Sequence, residues 1–67
     1  MNKLNISKNR NSEGELITMQ QACALANLGS STVRKLANDA GAVRKIGKSY
    51  RINRKVFFEY IEKIYAI

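Results

Sequence analysis

Apolar and polar residues follow one another along this chain with two different periods, and the changes of period divide it into elements. The run ELI at residues 15–17 predicts a short strand. Thr18 is followed three residues later by Gln21, which is the spacing of a capping box, so a first helix should begin there and continue through MQQACALA. Residues 1–14 are rich in Asn, Lys and Ser without periodicity, so we expect a flexible arm before a domain over residues 15–67.

A tight turn should separate this helix from a second one. The segment ANLGSS supplies Asn and Gly for the turn, and then Gly29 or Ser30 as the N-cap of the second helix. A separation of three or four residues between two helices is typical of a helix-turn-helix. Leu28 lies inside the turn, and we expect its side chain to fill the angle between the two helices.

The second predicted helix, roughly residues 30–40, has an apolar arc and a polar arc on a helical wheel. The apolar arc, which we expect to be buried, consists of Val33, Leu36, Ala37 and Ala40. The polar arc holds short polar side chains and two cations, namely Ser31, Thr32, Arg34, Lys35 and Asn38. Side chains of these types can contact base edges or phosphates, but the arc alone fits an ordinary solvated surface equally well.

The stretch VRKIGKSYRIN at residues 43–53 predicts a β-hairpin with GKS as a loop of three to five residues. In SYRIN the alternation is regular, so Tyr50 and Ile52 should face the core and Ser49 and Arg51 the opposite side.

The first strand of the hairpin has an ambiguous phase. Val43 and Ile46 cannot share a face of a regular strand without a bulge. We predict that Ile46 faces inward and Lys45 outward, which leaves either a bulge or an early strand start at Val43. Lys48 should lie at the tip of the hairpin.

Asn53 is a candidate N-cap for a last helix, RKVFFEYIEKI. Its apolar stripe consists of Val56, Phe57, Tyr60, Ile61 and Ile64. Phe58 lies off the stripe, and we expect it to pack under the N-terminal arm or to be exposed, with a partner-binding patch as the alternative. The order (β)-α-α-β-β-α predicts a small α+β domain, a winged helix-turn-helix with the hairpin as its wing.

The whole formal net charge of +7 lies within residues 30–55. This basic segment sets eight cations against one acid, Asp39; the cations are Arg34, Lys35, Arg44, Lys45, Lys48, Arg51, Arg54 and Lys55. Such concentration favours a polyanionic partner, with nucleic acid first and an anionic membrane surface second. The membrane alternative is disfavoured because Glu59 and Glu62 lie on the polar side of the last helix.

Residue counts exclude several classes of function. The chain has no histidine and one cysteine, so we expect no metal, no cofactor and no internal disulfide, and Cys23 should be a small buried residue on the first helix. The acids form no recognisable catalytic pair, so we expect no enzyme. There is no run of eighteen apolar residues and no signal peptide, and we expect a soluble cytoplasmic protein.

The segments ITMQQACALANLGSSTVRKLA and GKSYRINRKVFFEYI resemble the excisionase (Xis) family of DNA-binding domains, which is related to the DNA-binding domain of MerR-type regulators. The resemblance is greatest to the excisionases of conjugative transposons and covers about residues 15–67. It rests on Ala22, the pair Leu28 and Gly29, VRKLA in the second helix, and G-x-x-Y-R-I in the wing.

The resemblance implies a protein that binds and bends double-stranded DNA at recombination sites. It would help a tyrosine recombinase to excise an integrated mobile element. Because a single small module buries little surface on DNA, we expect several copies to associate cooperatively on adjacent repeats, with the protein on the nucleoid. The second helix would contact the major groove and the wing the backbone or minor groove. The implied contacts are Ser31, Thr32, Arg34, Lys35 and Asn38 from the helix and Lys45, Lys48, Ser49 and Arg51 from the wing. Arg44 and Arg54 of the basic segment complete the candidate DNA-binding residues. A MerR-like transcriptional regulator of a mobile element is the alternative.

Overall fold

The computed structural model describes residues 16–67 of the 67-residue chain, so the predicted arm at residues 1–14 lies outside the described residues. The elements are β1 (Leu16–Ile17), α1 (Met19–Ala26), α2 (Ser30–Ala40), β2 (Val43–Ile46), β3 (Ser49–Asn53) and α3 (Arg54–Tyr65). The strands form an antiparallel sheet in the order β1-β3-β2. The predicted α+β class and element order are therefore confirmed, and the fold is winged helix-like.

The helix α1 begins with the predicted capping box. The Thr18 hydroxyl accepts a hydrogen bond from the Gln21 backbone N–H at 3.0 Å, and the Gln21 side-chain carbonyl accepts one from the Thr18 N–H at 2.9 Å. The helix ends at Asn27, whose φ of 59° lies in the left-handed region that Asn tolerates better than most residues. Local sequence therefore sets both ends of α1.

Leu28 in the turn is more exposed than its expected role suggests. Its side chain is 39% exposed and is not among the residues that pack against the core. Ala22 of α1 and Val33 of α2 are both fully buried and belong to the core. The buried residue of α1 is thus as small as alanine, and α1 contributes little side-chain volume to the core.

The buried face of α2 is the one that the helical wheel predicts. Val33, Leu36 and Ala37 are buried and Ala40 is half-buried. The N-cap is Gly29, and the helix ends at Gly41, which has a φ of 70° and donates to the carbonyls at the end of the helix. This left-handed glycine lets the chain turn directly into the hairpin.

The phase of the hairpin differs from the prediction. The β2–β3 register pairs Val43 with Ile52 and Lys45 with Tyr50, so these four residues share the inner face of the sheet. Ile46 pairs with Ser49 on the outer face and is 57% exposed, so the expectation of Ile46 inward and Lys45 on the outer side is wrong. The register is continuous from Val43 to Ile46, so the strand contains no bulge. Val43 lies at the base of the hairpin and packs against the core. Ile46 lies at the tip, beyond the core.

The hairpin loop has two residues, Gly47 and Lys48, and is shorter than the loop of three to five residues that GKS suggests. Gly47 has a φ of 59°, as the first loop position of a type II′ turn requires. Ser49 therefore begins β3 instead of ending the loop.

The last helix packs its N-terminal half on the sheet. The Asn53 side-chain carbonyl accepts from the Val56 N–H at 3.0 Å, which confirms the predicted N-cap. Phe57 is fully buried, and Phe58 is half-buried against the core, with its ring 5.0 Å from that of Phe57. Phe58 is thus not simply exposed. Ile64 was expected in the apolar stripe but is 51% exposed, since the last turn of α3 extends past the core.

The core is a single cluster that joins all three helices and the sheet. Its buried members are Ile17, Ala22, Val33, Leu36, Ala37, Ala42, Ile52 and Phe57. Val33, Ile52 and Phe57 are the largest fully buried side chains. Cys23 is half-buried beside this cluster as a free thiol, which is less buried than we expected. This core fixes α2 and the hairpin relative to each other.

Candidate nucleic-acid interface

The polar arc of α2 is exposed and lies on the side of the helix opposite the core. Every predicted contact residue on it is exposed, namely Ser31, Thr32, Arg34, Lys35 and Asn38. The opposite side of the helix is anchored by Val33, Leu36 and Ala37. A short helix held in this way can enter a groove with its polar side chains first.

The two cations of α2 have different surroundings. The Lys35 ammonium donates to the Asp39 carboxylate at 3.0 Å, one helical turn further along. Both side chains are exposed, 76% for Lys35 and 43% for Asp39. The hydrogen bond to Asp39 and the negative charge of Asp39 raise the pKa of Lys35. Asp39 therefore places a negative charge directly beside the Lys35 ammonium on the exposed face of α2.

Arg34 has an aromatic partner instead. Its guanidinium carbon lies 5.2 Å from the centre of the Tyr50 ring, within the range of a cation–π interaction. Tyr50 belongs to β3, so this contact joins the exposed face of α2 to the inner face of the hairpin. The prediction that Tyr50 faces inward is confirmed, but its contact with Arg34 depends on tertiary packing and could not be found from local sequence.

The cations of the hairpin lie on two faces and at the tip. Lys45 is exposed on the inner face, opposite Tyr50. Arg44 and Arg51 are cross-strand partners on the outer face, where Ser49 also lies, and Lys48 is exposed in the turn. The hairpin thus has no single basic side, which corrects the expectation that Lys45 and Arg51 point the same way. Residues 43–53 carry no acid.

The two arginines of the outer face are half-buried and also serve the local backbone. The Arg44 guanidinium donates to the carbonyls of Gly41 at 2.8 Å and Val43 at 3.1 Å. The Arg51 guanidinium donates to the Tyr50 carbonyl at 3.0 Å. Each guanidinium has five N–H donors, so donors remain for an external acceptor. Arg44 and Arg51 are like charges directly opposite each other on the sheet, so they repel. An anion bound between them would reduce this repulsion.

Arg54 lies at a different place from the rest of the candidate set. It is half-buried at the first position of α3, immediately after the N-cap Asn53. The structure therefore places the candidates on three surfaces: the α2 face, the hairpin and the start of α3.

Two residues of this region were not among the sequence-based candidates. Asp39 forms an ion pair with Lys35, and the spacing of four residues between them is a signal that could have revealed the pair. Tyr50 was assigned only a core role, whereas it also holds Arg34. Its hydroxyl is buried and has no hydrogen-bond partner among the described residues.

Replacing Tyr50 by phenylalanine is therefore expected to raise the free energy of unfolding by about 1 kcal/mol, since an unsatisfied buried hydroxyl is costly and its removal keeps the ring. Urea unfolding followed by circular dichroism measures the change. A loss of more than about 1 kcal/mol would mean that the hydroxyl has a hydrogen-bond partner in solution.

Residues 16–67 contain no group of three or more His, Cys, Asp or Glu side chains that could hold a metal ion. Within the same residues, no helix combines the length and the apolarity needed to cross a membrane.

The element order and the sheet topology define a small winged helix-like α+β domain. The sequence model of a family of unknown function, DUF6462, matches residues 15–64. The chain belongs to this family. No curated protein and no solved structure matches this chain significantly.

Proposed function

We propose that this chain binds double-stranded DNA, with the exposed face of α2 in the major groove and the hairpin against the adjacent backbone or minor groove. The observation that carries the proposal is the position of the basic segment on the folded chain. Six of its eight cations lie on α2 and the hairpin, and the other two, Arg54 and Lys55, begin α3, while Glu59 and Glu62 lie further along α3. A duplex presents rows of phosphates that would match such a surface.

The two-sided distribution of charge on the hairpin supports this docking. A groove is bordered by phosphates on both sides, so a hairpin whose tip approaches it meets negative charge with both of its faces. Each side of the hairpin has a cation that could meet these phosphates: Lys45 on the inner face, Arg51 on the outer face and Lys48 at the tip. The major groove is wide enough to admit a helix such as α2.

The biological role that we propose is that of an excisionase, a DNA-bending factor that directs a tyrosine recombinase to excise an integrated mobile element. The resemblance of residues 15–67 to that family supports it. One domain of this size buries only about 600–1,000 Å² on DNA. Several copies on adjacent repeats would then cooperate, in the cytoplasm and on the nucleoid.

An excision assay tests this role. A plasmid carrying the two ends of the resident mobile element is incubated with its recombinase, with and without the full chain. The expected result is that the chain increases the excised product at least tenfold. Specific binding to the ends without any change in excision would contradict the excisionase role and favour the alternative, a transcriptional regulator of the element.

Replacing Lys48 by alanine should weaken binding to all duplexes by a similar factor. One phosphate contact contributes about 0.9 to the slope of log affinity against log salt concentration, so the slope should fall by about one unit. Fluorescence anisotropy at several salt concentrations measures it. Lys63→Ala, in the last turn of α3, is the matched control and should leave the slope unchanged. Equal slopes for the two variants would show that the tip of the hairpin does not contact phosphate.

A further inference from the structure

The two cations of α2 are adjacent in sequence but have different partners. Arg34 contacts an aromatic ring, whereas Lys35 forms an ion pair with a carboxylate. We propose that Arg34, positioned by Tyr50, is the residue that reads a guanine base in the major groove, while Lys35 does not read bases. The inference rests on the proposed DNA binding, and it adds the base that is read, the side chain that reads it and the residue that positions this side chain.

Arg34 keeps its hydrogen-bonding capacity while being oriented. Its guanidinium lies over the Tyr50 ring and, among the described residues, makes no hydrogen bond or ion pair. The ring contact is electrostatic and needs no hydrogen-bond acceptor, and the guanidinium has five N–H donors in a plane. These donors form a rigid fork that matches O6 and N7 of guanine, the commonest specific contact in the major groove. Because the Tyr50 ring already restrains the Arg34 side chain, less conformational entropy is lost when Arg34 binds a base.

Lys35 is poorly suited to the same task. Its ammonium donates to Asp39 with one of its three N–H groups, so a base contacted by Lys35 would also have the Asp39 carboxylate close to it. Asp39 would also bring a carboxylate towards the electronegative N7 and O6 atoms of guanine. An ammonium is a point charge without the planar fork. The pair Lys35–Asp39 therefore suits a solvated position beside the groove.

Tyr50 can position the Arg34 side chain because the hairpin places the Tyr50 ring beside α2. The β2–β3 register puts Tyr50 on the inner face opposite Lys45, so the ring lies between the hairpin and α2. The hairpin and the helix then meet the duplex as one unit. Lys45 supplies a second positive charge beside the ring, which suits a backbone phosphate next to the base that Arg34 reads.

Selection from a random duplex pool tests the assignment with the full chain. We expect the wild type to enrich a motif that contains a guanine. In the enriched duplex, replacing that guanine by 7-deazaguanine removes the N7 acceptor and should weaken binding about tenfold. Arg34→Lys, which keeps the charge but not the fork, should lose the preference for this guanine. Lys35→Ala, the matched control on the neighbouring position, should keep it.

The role of Tyr50 has its own readout. Tyr50→Leu should reduce the discrimination at the guanine position about two- to fivefold while affinity for random DNA stays the same. Tyr50→Phe should retain full discrimination, and Tyr50→Leu should have no further effect in the Arg34→Lys background. A purely structural role would instead lower affinity for every sequence.

Three outcomes would overturn the inference: an enriched motif without guanine, a preference lost in Lys35→Ala, or a preference kept in Arg34→Lys. The last of these does not depend on the stability of the Tyr50 variants. Failure of the wild type to bind any duplex would contradict the proposed function itself and is distinguishable from these results.

Discussion

Replacing Ile52 by alanine is expected to lower the free energy of unfolding by about 2–5 kcal/mol. Ile52 is 0% exposed at the centre of the sheet, where β3 packs against both α1 and α3. A domain of this length has a total stability of roughly 3–10 kcal/mol, so the loss would be a large part of it. Urea unfolding followed by circular dichroism at 222 nm measures the change.

The matched control is Ile46→Ala, the same substitution six residues away in the same hairpin. Ile46 is 57% exposed at the tip, and its truncation should change the free energy of unfolding by less than about 0.5 kcal/mol. The pair of variants also tests the phase of β2. Similar losses for both would mean that Ile46 contributes to the core and that the register of the hairpin is wrong.

Replacing Lys45, Lys48 and Arg51 together by glutamine should have the largest effect on DNA binding. Each phosphate contact contributes about 0.9 to the salt slope, so the slope should fall by almost three units. At 0.1 M salt the same relation corresponds to a loss of affinity of about 10²–10³-fold. The measurement is fluorescence anisotropy on one duplex between 50 and 300 mM salt.

This triple variant also tests whether both faces of the hairpin meet phosphate. Lys45 and Arg51 lie on opposite faces, so a hairpin that lay flat on the duplex could use only one of them. The slope would then fall by less than two units. A slope that did not change at all would contradict the docking of the hairpin. Lys45 and Lys48 are exposed and do not contribute to the core, so any fall in the melting temperature of the variant should come from Arg51, whose hydrogen bond to the Tyr50 carbonyl is lost.

The sequence predicted the features of the fold that depend on near neighbours. The capping box at Thr18 and Gln21 and the N-cap at Asn53 are signals over three residues, and the structure confirms them. The buried arc of α2 follows from the helical period alone. These features could be predicted because each is decided within one turn of helix.

The features that the sequence did not predict depend on packing between elements. A strand of four residues offers two phases, and either Val43 or Ile46 could be the inner residue until the core is known. Ile64 belongs to the apolar stripe of α3, but the core does not extend to it. The candidate DNA-binding residues of α2 and the hairpin are exposed or half-buried, as an interface requires, while their contact with DNA stays a prediction.

The most direct test of the central claim is a mobility-shift titration of the full chain at 50 and 200 mM salt. It compares duplexes from the ends of the mobile element that the proposed excisionase role requires with random duplex of equal length. We predict that affinity for both falls steeply with salt and that the element ends are bound at least tenfold more tightly at each concentration. Equal affinity for both duplexes would contradict sequence-specific binding, and no shift at 50 mM salt would contradict DNA binding.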